Sequence, residues 1–170
     1  SGTLESNYKQ CSRCILDSND DPNIKFDAEG ICNYCHFYDE DLKRQVCEGV
    51  EGEKKIENLL KLLKNKGKGK KYDCIMGVSG GVDSTFLALW TKKNGLRPLA
   101  VHFDNGWNSE LAVKNIENIL QKLNIDLYTY VVNWEEFKDV QLAYLKASVV
   151  DIEIPTDHAF VAVLYQAAAE

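Results

Sequence analysis

The sequence holds 170 residues, of which 45% are hydrophobic and 27% are charged, and its formal net charge is −6. These proportions exclude a disordered or fibrous chain and allow one α/β domain with a small appendage. The acidic balance argues against a broad basic surface for nucleic acid. There is no apolar stretch of membrane-spanning length, and the opening residues SGTLESNYKQ lack the apolar core of a secretory signal, so we expect a cytoplasmic protein without a membrane partner.

The first predicted segment, residues 1–47, is rich in cysteines and turn residues. Two C-x-x-C pairs are separated by 17 residues and supply Cys11, Cys14, Cys32 and Cys35. This spacing is typical of a tetrahedral Zn²⁺ site, and four thiolates leave no open position, so we expect a structural metal. Residues 27–30 (DAEG) predict a hairpin turn that brings the second pair to the first. The same ligands could hold iron or an iron–sulfur cluster, and the sequence leaves that alternative open.

The middle segment, residues 48–71, is predicted to connect two folded parts. Apolar residues recur at helical spacing over residues 53–66, and a lysine-rich stretch follows at residues 66–71. We expect a connecting helix followed by a solvated boundary.

From residue 72 to residue 170 the pattern alternates between strands and helices. Short apolar runs predict strands at residues 73–78, 98–103 and 127–132, and helical patterns lie between them at residues 84–94 and 109–123. Asn133 and Glu136 have the spacing of a capping box for a helix over residues 134–147, and Thr156 is a candidate cap for a last helix. Such alternation predicts a doubly wound α/β fold with a parallel sheet.

The loop between the first predicted strand and its helix reads SGGVDS, residues 79–84. Gly80 and Gly81 allow the backbone to approach a ligand, and the amides of the following helix favour an anion. The loop has no Walker lysine and no G-x-G-x-x-G pattern. Ser79 and Ser84 can donate to phosphate oxygens, whereas Asp83 would repel phosphate unless a cation such as Mg²⁺ lies between them. The alternative is a tight turn in which Asp83 or Ser84 is a helix cap.

The hexapeptide SGGVDS matches the S-G-G-x-D-S signature of the PP-loop ATP pyrophosphatase superfamily, and the chain resembles its members there. The resemblance implies that ATP is cleaved between its α and β phosphates. AMP passes to a substrate oxygen, the loop holds pyrophosphate, and a nucleophile then displaces AMP. By the same likeness the backbone of Phe103 contacts adenine, while its side chain is expected in the core.

Further candidates lie at the predicted ligand-binding edge of the sheet. Asp104 follows the second strand and could contact the nucleotide or a metal, or form an Asp-Asn-Gly turn with Trp107 packed nearby. Asp157 could bind Mg²⁺, and His158 could meet phosphate or a forming oxyanion. The alternative is a carboxylate at a helix dipole and an exposed histidine. His102, inside the strand, is predicted to be a satisfied structural histidine.

Over nearly its whole length the chain is similar to the N-acetyl sugar amidotransferases of bacterial surface-polysaccharide synthesis. The likeness is carried by the segments CSRCILD, IKFDAEGICNYC, GVSGGVDST, VHFDNGWNSELAVKNIENI, WEEFKD and PTDHAF. It implies adenylation of the acetamido oxygen of a nucleotide-linked N-acetyl sugar, followed by attack of ammonia from a separate glutaminase subunit. Members of that family are longer and this chain stops within a helical pattern, so we expect it to be shortened at its C-terminus.

Two other functions stay open at this point. A transfer RNA thiolation enzyme of the same superfamily is disfavoured by the acidic charge and because no cysteine follows Cys74. A non-catalytic ATP-binding module of the same fold is the other alternative.

Overall fold

The computed structural model describes residues 8–170, so the first seven residues of the predicted metal module lie outside the described part. The chain divides into two compact units, Ser1–Ile56 and Glu57–Glu170. The division falls inside the helix α2 (Gly49–Lys66), within the segment predicted to connect two folded parts. Within residues 8–170, no helix has both the length and the apolar character that a membrane crossing requires.

The first unit is built around the four cysteines. Phe26 pairs with Cys32 in an antiparallel bridge, and the amide of Gly30 donates to the carbonyl of Asp27 at 3.1 Å. The predicted turn at residues 27–30 is therefore confirmed, and Gly30 takes the positive φ of 83° that the turn requires. The helix α1 (Asn33–Gln45) follows directly.

The sequence patterns did not predict α1. Its buried residue is Cys35, and most of its other side chains are polar and exposed, so it has no apolar stripe of the usual kind. The helix is held at its start, where Cys32 and Cys35 both enter the cysteine cluster. The prediction of a segment rich in turns, without a helix, was therefore incomplete for residues 33–45.

The second unit contains a parallel sheet of three strands in the order β1 (Cys74–Gly77), β2 (Pro98–Asp104) and β3 (Asp126–Val131). In register, Gly77 lies beside Val101, and Asp104 lies beside Val131. All three strands were predicted within two residues, because each is a short apolar run bounded by turn residues.

Helices cover both faces of this sheet. They are α3 (Val82–Lys93), α4 (Glu110–Leu123), α5 (Trp134–Ala147) and α6 (Ile154–Ala169). Successive residues of β2 face opposite ways. Ala100 packs with Ala88 of α3 and Ile116 of α4, whereas Val101 packs with Val163 of α6. The prediction of a doubly wound α/β fold is confirmed.

Two predicted helix caps are wrong. The side chain of Asn133 makes no capping hydrogen bond at the start of α5, so the capping box does not form. The helix α6 begins at Ile154 after Glu153, which places Thr156 inside the first turn rather than before it. Pro155 explains the earlier start, because proline suits the first turn of a helix, where amides have no helical partner.

Arg97 fastens the lysine-rich turn to the start of the sheet. Its guanidinium donates to the carbonyls of Gly67 at 2.9 Å and Lys70 at 2.7 Å, and to both carboxylate oxygens of Asp73. The hydrogen bonds from Arg97 lower the pKa of Asp73 although burial of the carboxylate opposes that shift. The turn is therefore anchored by a charged pair that also satisfies backbone carbonyls.

Candidate functional site

The loop that follows β1 contains two glycines in different conformations. Gly80 has a φ of +77°, and a Cβ atom added there would lie 2.8 Å from the carbonyl oxygen of Ala112 in α4. Gly81 caps α3 with ordinary extended angles, φ −80° and ψ 171°, and an added Cβ would meet the Ser79 hydroxyl at 3.5 Å. The fold therefore requires glycine at position 80, whereas position 81 leaves space above the loop.

The two serines of the loop lie together. The amide of Ser79 donates to the hydroxyl of Ser84 at 3.3 Å, and the two hydroxyl oxygens are 3.4 Å apart. Gly81 rather than Asp83 or Ser84 is the N-cap residue of α3, and it supplies no side-chain bond to the first-turn amides. These amides and the two hydroxyls form a set of donors suited to an anion.

A cavity of about 480 Å³ opens beside this loop. It lies where β1 and β2 end and α6 begins, and its polar lining comes from Ser79, His102, Asn105, Asn108, Thr156 and Asp157. Its volume is within the range of roughly 300–1,000 Å³ that small-molecule sites occupy. Open α/β sheets bind ligands at the carboxyl ends of their strands, and this cavity occupies that position.

A larger cavity of about 630 Å³ lies at the other end of the strands, against Cys74 and Leu99. Its lining includes the lysine-rich turn and the last residues of α6. Because it is remote from the glycine loop and at the amino ends of the strands, its greater size does not make it the better candidate.

Some of the predicted site residues line the cavity and others lie outside it. Ser79, Phe103 and Asp157 line it. Gly80 and Ser84 do not line this cavity and instead border a small space against α4. Asp83 is exposed in the first turn of α3, and His158 is exposed just after the first turn of α6; neither lines the cavity.

Phe103 has the core side chain that the sequence predicted. The residue is buried, and its ring stacks on Tyr130 with centroids 6.2 Å apart. The rings of Phe137 and Phe160 approach it at 6.4 and 6.3 Å. The contact between the Phe103 backbone and adenine stays a prediction.

Of the two roles predicted for Asp104, a ligand contact and a turn, the structure shows the turn. Its Oδ1 accepts from the amide of Gly106 at 3.0 Å and from the side-chain amide of Asn108 at 3.2 Å. The Gly106 bond is the main reason that the pKa of Asp104 is lowered. Gly106 has a φ of +82°, as the turn demands. This geometry accounts for Asp104 without a ligand.

A buried glutamine that the sequence analysis missed holds this turn in place. The indole nitrogen of Trp107 donates to Oε1 of Gln141 at 3.1 Å, and Nε2 of Gln141 donates to the carbonyl of Ile152 at 3.2 Å. Trp134 packs edge-on against Trp107, with ring centroids 5.6 Å apart. One signal was present in the sequence, because Gln141 lies four residues after Phe137, on the same face of α5.

Only one of the two ring nitrogens of His102 has a hydrogen-bond partner. Its side chain is buried, with 4% of the residue exposed, and Nδ1 lies 3.1 Å from the carbonyl oxygen of Val78. Within residues 8–170, its Nε2 has no hydrogen-bond partner. The prediction of a satisfied structural histidine was therefore wrong for one of the two ring nitrogens.

The four predicted metal ligands lie together in the first unit. All four Sγ atoms lie within 4.8 Å of one another, with Cys14 and Cys32 at 3.7 Å and Cys11 and Cys35 at 4.0 Å. Zn–S bonds of about 2.3 Å in a tetrahedron place the sulfurs roughly 3.8 Å apart. The donor set and its spacing therefore fit a zinc module.

Backbone amides prepare one of these thiols for metal binding. Burial opposes the thiolate form of Cys11, but the amides of Arg13, Cys14 and Cys32 donate to its Sγ, and the net effect lowers its pKa to about 6. Burial and the neighbouring thiols raise the pKa of Cys35 to about 12. A divalent cation at the centre would favour the thiolate form of both.

Comparison with known proteins extends these observations. Residues 73–163, more than half of the chain, match the family model described as "Queuosine biosynthesis protein QueC". An uncharacterized protein of Methanocaldococcus jannaschii is 31% identical over 119 residues, which are 69% of this chain and 41% of that protein. The tRNA(Ile)-lysidine synthase of Chlamydia pneumoniae is 35% identical over 75 residues, 43% of this chain and 23% of the synthase. The chain thus spans less than half the length of these curated relatives.

Among solved structures, the NH3-dependent NAD synthetase of Campylobacter jejuni has a TM-score of 0.46 at 17% identity, over 69% of this chain and 52% of the synthetase. The NMN synthetase of Francisella tularensis also has a TM-score of 0.46, at 22% identity, over 66% of this chain and 48% of the synthetase. The family match covers β1, the glycine loop, the cavity and the first part of α6. The chain therefore belongs to the family described as queuosine biosynthesis protein QueC and, with it, to the PP-loop ATP pyrophosphatase superfamily.

Proposed function

We propose that this protein is an ATP-dependent, AMP-forming amidotransferase. The observation that carries the proposal is the SGGVDS loop, which follows β1, packs its Gly80 against α4 and opens on the cavity at the carboxyl ends of the strands. The family match over residues 73–163 supports the use of ATP.

The loop suits a diphosphate that is leaving rather than a γ-phosphoryl group in transfer. It offers the Ser79 and Ser84 hydroxyls and the first amides of α3, and no lysine follows its glycines. Donors fixed in place before the reaction stabilise the charge that develops on pyrophosphate as the bond breaks.

The proposed substrate is a nucleotide-linked N-acetyl sugar. Its acetamido oxygen attacks the α-phosphorus of ATP, the bond between that phosphorus and the bridging oxygen to the β-phosphorus breaks, and pyrophosphate leaves. Ammonia then adds to the activated acetamido carbon and loses a proton, and the bond between carbon and the AMP oxygen breaks. The products are AMP and an acetamidino sugar. This specific substrate rests on the sequence segments shared with the N-acetyl sugar amidotransferases.

Two carboxylates are suited to hold Mg²⁺, Asp83 in the first turn of α3 and Asp157 in the cavity lining. Carboxylate oxygens are the donors that this ion prefers. Bound Mg²⁺ would neutralise phosphate charge and lower the cost of forming pyrophosphate. We propose His158, one residue after Asp157, as a phosphate or oxyanion contact.

The remaining partners follow from the same proposal. A glutaminase subunit would supply ammonia. The cysteine module would hold Zn²⁺ as a structural ion, because its four thiolates complete the tetrahedron and leave no position for a substrate.

The family match favours a second candidate. A family described by queuosine biosynthesis suggests that the same ATP-dependent activation acts on a precursor of that modified nucleoside instead of a sugar. The glycine loop and the cavity would serve both substrates, so the acceptor is the point on which the two candidates differ.

Pyrophosphate exchange into ATP tests the proposal. The protein is incubated with labelled pyrophosphate and a panel of nucleotide-linked N-acetyl sugars, queuosine precursors and transfer RNA, with and without ammonia. We expect exchange only with an N-acetyl sugar, and formation of an acetamidino product only when ammonia is present. Exchange with a queuosine precursor alone would establish the second candidate, and sulfur transfer to transfer RNA would establish a thiolation enzyme.

A pair of matched variants connects the activity to the loop. Asp83→Asn removes a carboxylate from the first turn of α3, and Asp139→Asn makes the same change at an exposed position of α5. We expect Asp83→Asn to lower exchange by about a hundredfold or more, the usual effect of losing one group that stabilises transition-state charge. Asp139→Asn should match the wild type. Tight ATP binding with no exchange for any acceptor would instead indicate a non-catalytic nucleotide-binding module.

A further inference from the structure

Two buried polar atoms beside the cavity lack partners. Among the residues that the structure describes, they are the only buried side-chain nitrogen or oxygen atoms without a hydrogen bond: Nε2 of His102 and Oγ1 of Thr156. Both residues line the same cavity, although one belongs to β2 and the other to α6. Their occurrence together, at the candidate nucleotide site, requires an explanation.

The hydrogen bond made by Nδ1 of His102 determines whether Nε2 can donate or accept a hydrogen bond. The carbonyl of Val78 can only accept, so Nδ1 of His102, 3.1 Å away, must carry the proton. In the neutral ring the second nitrogen then has no proton and a free lone pair. In that form Nε2 can only accept a hydrogen bond, and no described residue donates one to it.

Thr156 differs from other threonines near helix starts because its hydroxyl does not cap the helix. It lies inside the first turn of α6, and its Oγ1 makes no bond to the helix backbone or to a side chain within residues 8–170. A hydroxyl can both donate and accept, so it fits a ligand hydroxyl or ring nitrogen equally well.

Such atoms lower the stability of the ligand-free fold. A buried polar group without a partner retains the cost of its lost hydration, and native proteins pair the great majority of such groups. Exceptions of this kind concentrate at functional sites, where a ligand supplies the missing partner.

We propose that His102 and Thr156 are binding residues for the adenosine part of ATP, with Nε2 of His102 accepting a hydrogen bond from an adenosine donor. This inference rests on the proposed use of ATP and adds two residues to that site. Adenosine carries two kinds of donor, the 6-amino group of the base and the ribose hydroxyls. With the 6-amino group as the donor, a base that carries oxygen at this position would face the histidine lone pair with another acceptor, and the site would select adenine.

The primary test uses the nearly isosteric change Thr156→Val, which removes Oγ1, with Thr156→Ser as the control that keeps it. Calorimetric titration of the protein with ATP and Mg²⁺ should show Kd raised roughly three- to tenfold for Thr156→Val, the effect of one hydrogen bond. Thr156→Ser should bind close to wild type. Without ligand, the melting temperature of Thr156→Val should equal or exceed that of the wild type, because the change removes an unpaired polar atom.

A second variant tests the histidine. His102→Asn keeps a side-chain amide that can donate to Val78 in place of Nδ1 and removes the atom that corresponds to Nε2. We expect the same rise in Kd for ATP. Titration with ITP, 2′-deoxyATP and 3′-deoxyATP then identifies the donor, because His102→Asn should carry no further penalty with the analogue that lacks it.

The outcomes separate this inference from the proposed function. If the wild type binds ATP and both Thr156→Val and His102→Asn bind it equally tightly, the inference is overturned and the use of ATP stands. A lower melting temperature with unchanged Kd would assign both side chains a structural role and would also overturn it. A penalty for His102→Asn that persists with all three analogues would exclude an adenosine donor. If the wild type binds no ATP, the proposed function and the inference are both wrong.

Discussion

Replacing Gly80 by alanine should be the most damaging single change in the glycine loop. Left-handed φ costs a residue with a Cβ about 1–2 kcal/mol, and Gly80 has a φ of +77°. The added Cβ would also lie 2.8 Å from the carbonyl oxygen of Ala112, closer than van der Waals contact allows. Relieving such overpacking costs about 1–3 kcal/mol. Together we expect a loss of about 2–5 kcal/mol in the free energy of unfolding.

Gly81→Ala is the matched control one residue later. Its φ of −80° suits any residue, and the nearest atom to its Cβ is 3.5 Å away. Alanine there restricts the unfolded chain but is a poorer N-cap residue than glycine, so the free energy of unfolding should change by no more than about 1 kcal/mol in either direction. Urea titrations followed by circular dichroism compare both variants with the wild type. Equal stability of the two variants would refute the loop geometry on which the proposed phosphate site depends.

Three further predictions concern the metal, the turn after β2 and the pH dependence of stability. Cys14→Ser should lose bound zinc and the circular dichroism of α1, whereas Cys47→Ser, outside the cluster, should retain one zinc ion per chain by metal analysis. Asp104→Asn keeps an oxygen that accepts from its turn but loses the charge that strengthens these bonds, so stability should fall slightly. The Kd for ATP with Mg²⁺ should match the wild type, and a large loss of affinity would show that the ligand uses the carboxylate charge. Because Arg97 lowers the pKa of Asp73, the contribution of this carboxylate is complete above its unfolded pKa of about 3.9 and is lost as the pH falls through the lower folded value. The stability difference between wild type and Asp73→Asn should therefore narrow below about pH 4, and a difference that is constant from pH 2 to pH 7 would contradict this reasoning.

The sheet could be predicted from the sequence because each strand is specified by residues that are close together in the chain. Each strand is a short apolar run between turn residues, and helical patterns lie between the runs, so the order of elements determined the fold class. The four cysteines were equally clear, since metal spacing is written in the sequence. The helix α1 could not be found in this way, because it is buried through Cys35 in the cysteine cluster rather than through an apolar stripe.

The details of the site depended on contacts between distant residues. His102 and Val78 are 24 residues apart, and no local pattern shows which ring nitrogen the carbonyl meets. The hydrogen bonds from Trp107 through Gln141 to Ile152 connect the loop after β2, the helix α5 and the segment before α6. Threonine is a common helix cap, which is why Thr156 was predicted to be one. The helix starts earlier because Pro155 suits its first turn, and the Thr156 hydroxyl is left without a hydrogen bond. Local patterns therefore placed the residues at the correct edge and left their partners undetermined.

The amide of Gln141 has a consequence for how the cavity responds to a ligand. One end of it holds Trp107, whose loop contributes Asn105 and Asn108 to the cavity, and the other end holds Ile152, just before the turn of α6 that contributes Thr156. The loop after β2 and the first turn of α6 form two walls of the cavity, and neither can shift far without straining the Gln141 side chain. A ligand that orders one wall of the cavity should therefore also restrict the motion of the other wall. The two walls should then lose conformational entropy together when the cavity is occupied.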